Sequence, residues 1–190
     1  YMRQILARGH AIEYFVEGGR SRTGRLLKPK AGMLAMTINS YIRNPRIPVV
    51  FIPVYFGYEK LIEGDSFISE MGGAKKQKES LFGLFRSIKS LREHFGKVYV
   101  NIGEPIRLNS LLDQHNPDWR LDENPSDERP QWLTGVIDEL GNRIMSEINA
   151  AAAVTPISLL AYALLSTPKQ CMGEQELRAQ LNLSNRLLRR

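Results

Sequence analysis

Residues 47–56 read Ile47-Pro48-Val49-Val50-Phe51-Ile52-Pro53-Val54-Tyr55-Phe56, a nearly unbroken apolar run. A half-exposed strand alternates apolar and polar residues, so a continuous run of this length predicts a strand buried on both faces, as in a parallel sheet. Pro48 and Pro53 remove ladder donors, which predicts an irregular end.

Working outward, Ala11 to Val16 reads as a short strand and Lys97 to Ile102 (KVYVNI) as a third, closed by Gly103-Glu104-Pro105. Between the strands, Leu34, Ile38, Tyr41 and Ile42 recur at helical spacing from Ala31 to Arg43, and Asn44-Pro45 stops that helix. A second helix is predicted over Leu81 to Phe95, with an apolar side and a basic side bearing Arg86, Lys89 and Arg92. Tyr1 to Ala7 reads as the last turns of a helix ended by Gly9. Strand, helix, strand, helix, strand is α/β alternation, so the expectation is a mainly parallel sheet flanked by helices.

Residues 116–130 are polar and contain Pro117, Pro125 and Pro130, and read as a loop or linker. Beyond them the pattern is helical: Trp132, Val136, Leu140, Ile144 and Ile148 recur every four residues, and 157–165 and 174–181 continue in that style. The expected organisation is therefore an α/β body over 1–115, a linker over 116–130 and a helical extension over 131–190. Ile148 to Pro168 carries no charge, but its alanines and Pro156 favour a Pro-interrupted pair of buried helices over a membrane span.

Of 190 residues, 43% are hydrophobic and 24% charged, a globular balance that excludes wholesale disorder. The single cysteine, Cys171, excludes an internal disulfide framework and a Cys-rich zinc site, and fits a reducing compartment. A net charge of +6 and a pI near 9.5 point to an anionic partner: phosphate, nucleic acid or an acidic membrane surface. The chain opens at Tyr1 without a signal segment and reads as a piece of something longer.

The densest chemistry lies in Glu17-Gly18-Gly19-Arg20-Ser21-Arg22-Thr23-Gly24-Arg25, followed by Lys28 and Lys30. Five basic residues fall between positions 20 and 30 with no acid among them, directly after a predicted strand. Glycines let backbone amides approach an anion, arginines grip phosphate oxygens in pairs, and Ser21 and Thr23 add hydroxyl donors. Glu17 would hold a guanidinium in place or accept a substrate hydroxyl. The competing reading is a solvated basic loop with a structural Glu-Arg pair. Neither the P-loop pattern nor Gly-x-Gly-x-x-Gly occurs here.

Residues 14–25, Tyr14-Phe15-Val16-Glu17-Gly18-Gly19-Arg20-Ser21-Arg22-Thr23-Gly24-Arg25, resemble the third conserved block of the membrane-associated glycerolipid acyltransferases, usually Pro-Glu-Gly-Thr-Arg-Ser. The Val16 and Gly19 variants and the Arg-Thr-Gly-Arg continuation are similar to the bacterial glycerol-3-phosphate acyltransferase branch. Pro53-Val54-Tyr55-Phe56-Gly57-Tyr58-Glu59 resembles its fourth block, and residues 103–105 and 114–120 its downstream sequence.

The resemblance implies transfer of a fatty acyl group from acyl-CoA or acyl-carrier protein to the 1-hydroxyl of glycerol-3-phosphate, giving lysophosphatidic acid for phospholipid synthesis. It implies that Glu17, Gly18, Gly19, Arg20, Ser21 and Arg22 contact glycerol-3-phosphate, and that Pro53, Val54 and Tyr55 serve the acyl-donor side. No cofactor or metal is implied. The expected location is the cytoplasmic face of the bacterial inner membrane, against an anionic surface.

Family catalysis uses His-x-x-x-x-Asp, in which the histidine takes the hydroxyl proton. Five residues after His10, His94 and His115 stand Phe15, Tyr99 and Arg120, so no histidine here matches. The segment should be inactive alone, with both upstream blocks expected before Tyr1. Two other functions compete. A nucleic-acid module would use the helix-turn-helix look of Glu174 to Arg190, although the charges concentrate in one glycine loop. A docking element would present Lys75, Lys76, Lys78, Arg86, Lys89 and Arg92 to anionic lipid or an acidic carrier protein.

Overall fold

The computed structural model describes residues 1–19, 25–59, 96–121 and 130–188. It divides into two compact units, Tyr1–Ala152 and Ala153–Arg190. The first contains α1 (Met2–Ala7), α2 (Ala31–Ile42), β1 (Val50–Phe51), β2 (Val54–Tyr58), β3 (Val98–Ile102), β4 (Ile106–Arg107), α3 (Leu108–His115) and α4 (Gln131–Ala150). The second contains α5 (Pro156–Leu165) and α6 (Glu174–Leu188).

The described strands pair antiparallel, so the expected mainly parallel sheet is not found among the described residues. β1 pairs with β4 and β2 with β3, in two separate two-stranded ladders. Val54 lies opposite Ile102 and Tyr58 opposite Val98, whereas Val50 lies opposite Arg107. Between the ladders, Ile52 and Pro53 face the three residues Gly103, Glu104 and Pro105. One ribbon is thus interrupted where the second strand carries an extra residue. Pro53 has no N–H to donate, and its carbonyl accepts instead from the Gly103 N–H at 2.9 Å. The irregularity expected from the prolines is real and falls inside the run.

Nor is the run buried on both faces. Tyr55, Gly57, Tyr99 and Asn101 are buried or half-buried, while Phe56, Tyr58, Val98, Val100 and Ile102 are exposed. A continuous apolar string cannot by itself distinguish a strand covered twice from one covered once. The expected strand over 11–16 makes no ladder among the described residues. Its last carbonyls are taken by a turn and a crosslink: Phe15 O accepts from Gly18 N at 3.1 Å and Val16 O from Lys30 N at 2.8 Å. The helix expected over 81–95 lies outside the described residues.

Helices make the core of the first unit. Leu34 and Ile38 of α2, Leu108 and Leu112 of α3, and Val136 and Leu140 of α4 are fully buried together. The four-residue row along α4 is only half of its apolar face. Leu133, Ile137, Gly141 and Met145, each one position further on, complete it. A repeat of four drifts round a helix of 3.6 residues per turn, so two adjacent rows are needed to keep one face inward. Within the first unit, which ends at Ala152, α4 packs on α2 and α3. Within the expected linker over 116–130, Trp119 is buried, its ring 5.8 Å from Tyr41 and beneath the Arg120 guanidinium at 4.3 Å. Residues 122–129 lie outside the described residues.

In the second unit Pro156 starts a helix. Its ring suits the first helical position, and Thr155 Oγ1 caps α5 by accepting from Ser158 N at 3.1 Å. α6 is one continuous helix from Glu174 to Leu188 with no internal turn, against the helix-turn-helix look of that stretch. Among the described residues no helix is long and apolar enough to cross a membrane.

Candidate active-site segment

The glycine bend forms where the chain leaves the core. Val16 is buried and Tyr14 turns partly inward. Burial pushes the Tyr14 hydroxyl pKa up, with Thr37 beside it pulling the other way. Gly18 has φ +61°, the left-handed region that disfavours a side chain. A Cβ there would also lie 2.9 Å from Lys30 Cγ. Lys30, the residue before α2, thus covers the bend with its aliphatic stem while its N–H holds Val16.

Glu17 is half-buried, and its Oε2 accepts a hydrogen bond from the backbone N–H of Leu27 at 3.0 Å. From composition it was expected to hold a guanidinium or a substrate hydroxyl; the described contact is with main chain. Arg20, Ser21 and Arg22 lie outside the described residues, as do Thr23 and Gly24. Gly19 has open space around its Cα, and Arg25 is exposed.

The second candidate group, Pro53, Val54 and Tyr55, sits at the break in the ribbon. Pro53 is buried and the other two are half-buried. The Gly57 Cα lies under the Tyr55 ring, where a Cβ would be 2.7 Å from Cε1. Opposite, a Cβ on Gly103 would meet Glu147 O at 3.0 Å, and Glu147 Oε2 accepts from Glu104 N at 3.1 Å. Asn101 Nδ2 donates to Ala151 O at 2.8 Å. At the far end Glu59 accepts from Lys97 N at 2.9 Å and from the Tyr99 hydroxyl at 3.2 Å, beside Gly96 at φ +73°.

One helix backs both groups. Pro29, beside the glycine bend, packs on Gly141 of α4, and the ribbon break packs on Glu147 of the same helix. Six residues separate these points, roughly 9 Å along the axis. Sequence reading missed Leu27, Pro29, Gly141 and Glu147, and gave Glu59 only as the last residue of the stretch over 53–59. Only Gly141 carried a signal, since a glycine inside a helical pattern calls for a packing reason.

The histidines take no part in this arrangement among the described contacts. His115 Nε2 lies 2.7 Å from Glu139 Oε2, tying the end of α3 to α4. His10 follows α1, and His94 lies outside the described residues. Among the described residues there is no group of three or more His, Cys, Asp or Glu that could hold a metal ion.

The glycine bend before α2 and the proline-broken apolar strand, both packed on α4, fall within the part of the chain that matches an acyltransferase family model. Residues 1–57 match the family model described as Acyltransferase. Residues 67–190 match the model described as Glycerol-3-phosphate acyltransferase C-terminal region, and the chain belongs to that family. It is 56% identical over 189 residues to a protein of Xanthomonas campestris pv. campestris named glycerol-3-phosphate acyltransferase, covering 99% of this chain and 21% of the relative. It is 57% identical over 189 residues to the protein so named in Xanthomonas axonopodis pv. citri, with the same coverage. In Pseudomonas fluorescens SBW25 the protein so named is 48% identical over 190 residues, covering 100% of this chain and 23% of the relative. The chain spans about a fifth of the length of these relatives.

Proposed function

We propose that this chain is the part of a glycerol-3-phosphate O-acyltransferase that binds the phosphorylated acceptor and shapes the acyl-donor side. The whole enzyme transfers a fatty acyl group from acyl-CoA or acyl-carrier protein to the 1-hydroxyl of glycerol-3-phosphate, forming lysophosphatidic acid. Gly18, Gly19, Arg20, Ser21 and Arg22 bind the phosphate, and Pro53, Val54 and Tyr55 line the donor side. The chain contains no His-x-x-x-x-Asp, so by itself it does not turn substrate over.

The observation that carries this reading is the stretch from Tyr14 to Arg25, in a chain matched to acyltransferase family models over residues 1–57 and 67–190. The anionic membrane surface as partner, and the cytoplasmic face of the inner membrane as location, draw support from the net charge of +6. In a full-length acyltransferase carrying this sequence, Arg20→Ala should raise the KM for glycerol-3-phosphate far more than that for the acyl donor. An unchanged acceptor KM would remove Arg20 from the phosphate site.

A further inference from the structure

On the glycerol-3-phosphate reading of this stretch, we propose that Glu17 is a positioning residue. Its carboxylate acts through the Leu27 backbone to hold the bend at Gly18 and Gly19, and so the main-chain amides that this bend offers to an anion.

Two crosslinks join the flanks of the arginine-rich stretch. Val16 O accepts from Lys30 N at 2.8 Å, and Glu17 Oε2 accepts from Leu27 N at 3.0 Å, ten residues away. The first is main chain to main chain. The second needs a side chain, because the left-handed turn at Gly18 carries the backbone out of line immediately after Glu17. The flank receiving the carboxylate is itself anchored: Pro29 packs on Gly141 of α4 and Lys30 leads into α2. Glu17 therefore ties the bend to a fixed point on the core. Truncating it should weaken acceptor binding and leave donor binding alone.

The test uses a full-length acyltransferase carrying this sequence, with glycerol-3-phosphate and acyl-CoA as substrates. Glu17→Ala should raise the acceptor KM about tenfold, the loss expected for one hydrogen bond. The donor KM should stay within about twofold. Glu17→Gln keeps an oxygen able to accept from Leu27 N–H and should restore the acceptor KM to within about threefold of the parent. Leu27→Pro removes the donor but also exchanges the side chain for a ring that fixes φ, so it should raise the acceptor KM at least as much as Glu17→Ala, with the double variant no worse than Leu27→Pro alone. Gln as damaging as Ala would overturn the proposal, since charge or proton transfer would then be the function of Glu17. If Leu27→Pro does not fold, the Ala and Gln pair still decides, together with exchange of the Leu27 amide, which Glu17→Ala should speed at least tenfold. Unchanged exchange would also overturn the clasp. Failure of the phosphate reading shows separately, as an Arg20→Ala variant with unaltered acceptor KM while the Leu27 exchange result stands.

Discussion

Pro29 lies against Gly141 so closely that a Cβ on that glycine would stand 3.0 Å from Pro29 Cγ and 3.2 Å from its Cβ. A glycine inside a helix is about 1 kcal/mol less favourable than alanine, so its presence marks a contact that needs the missing side chain. The pyrrolidine ring cannot swing aside, and Leu34 Cδ1 closes the third side at 3.4 Å. Gly141→Val should therefore destabilise the fold by about 1–3 kcal/mol through overpacking. Thermal unfolding should show it, as a fall of about 2–4 °C for each kcal/mol in a chain of this size. The same variant should raise the acceptor KM, because Pro29 sits beside the glycine bend.

Arg22 tests whether the basic stretch grips or merely attracts. Arg22→Lys keeps the charge but replaces a planar fork by a point charge. The expected outcome in a full-length enzyme is a several-fold rise in the KM for glycerol-3-phosphate, with the donor KM unaltered. Wild-type kinetics would reduce Arg22 to general charge.

Asp113 ties the buried indole of Trp119 to the surface. Its Oδ1 accepts from Trp119 Nε1 at 2.8 Å and from Arg120 Nη1 at 2.6 Å. The indole bond first, and then the guanidinium, hold its pKa below the ordinary 3.8. A carboxylate with a depressed native pKa contributes stability that is fully present above its unfolded value and is lost as pH falls through the native one. The Asp113-dependent part of stability should thus be constant from neutral pH down to about 4, and vanish on further acidification. Asp113→Asn should flatten that acid limb in a series of denaturation curves. An unaltered acid limb would contradict it.

Glu59 closes the end of the β2–β3 ladder. Glu59→Ala leaves Lys97 N–H and the Tyr99 hydroxyl without this acceptor. Amide exchange at residues 97–99 should speed up in Glu59→Ala and stay near wild type in Glu59→Gln, while exchange in α4 is unaffected. Equal exchange in all three proteins would show that the ladder end is held by its backbone bonds alone.

Much of the helical architecture was legible beforehand. α2 begins and ends within one residue of the expected bounds, because Leu34, Ile38 and Tyr41 mark one face and Asn44-Pro45 stops the chain. α4 was legible in its position, though only half of its apolar face was. Trp119 was not, since a single aromatic among prolines and polar residues has no period to read; only Tyr41, Asp113 and Arg120 explain it. The candidate site was legible as residue types in order, from Glu17 to Arg22 and from Pro53 to Tyr55. What Glu17 touches was not, because Leu27 offers only its backbone, and a backbone N–H has no signature in sequence.

The sequence by itself determined where α2 and α4 lie, that prolines interrupt the apolar run, and which short stretch concentrates arginine and glycine, because propensity, periodicity and charge are local properties. Tertiary structure decided the direction of strand pairing, the one-residue offset at Gly103–Pro105, and the choice of α4 as the common support of both candidate groups. Those depend on contacts between residues far apart in the chain, and many pairings satisfy the same local pattern until side chains such as Pro29 and Gly141 must occupy one space.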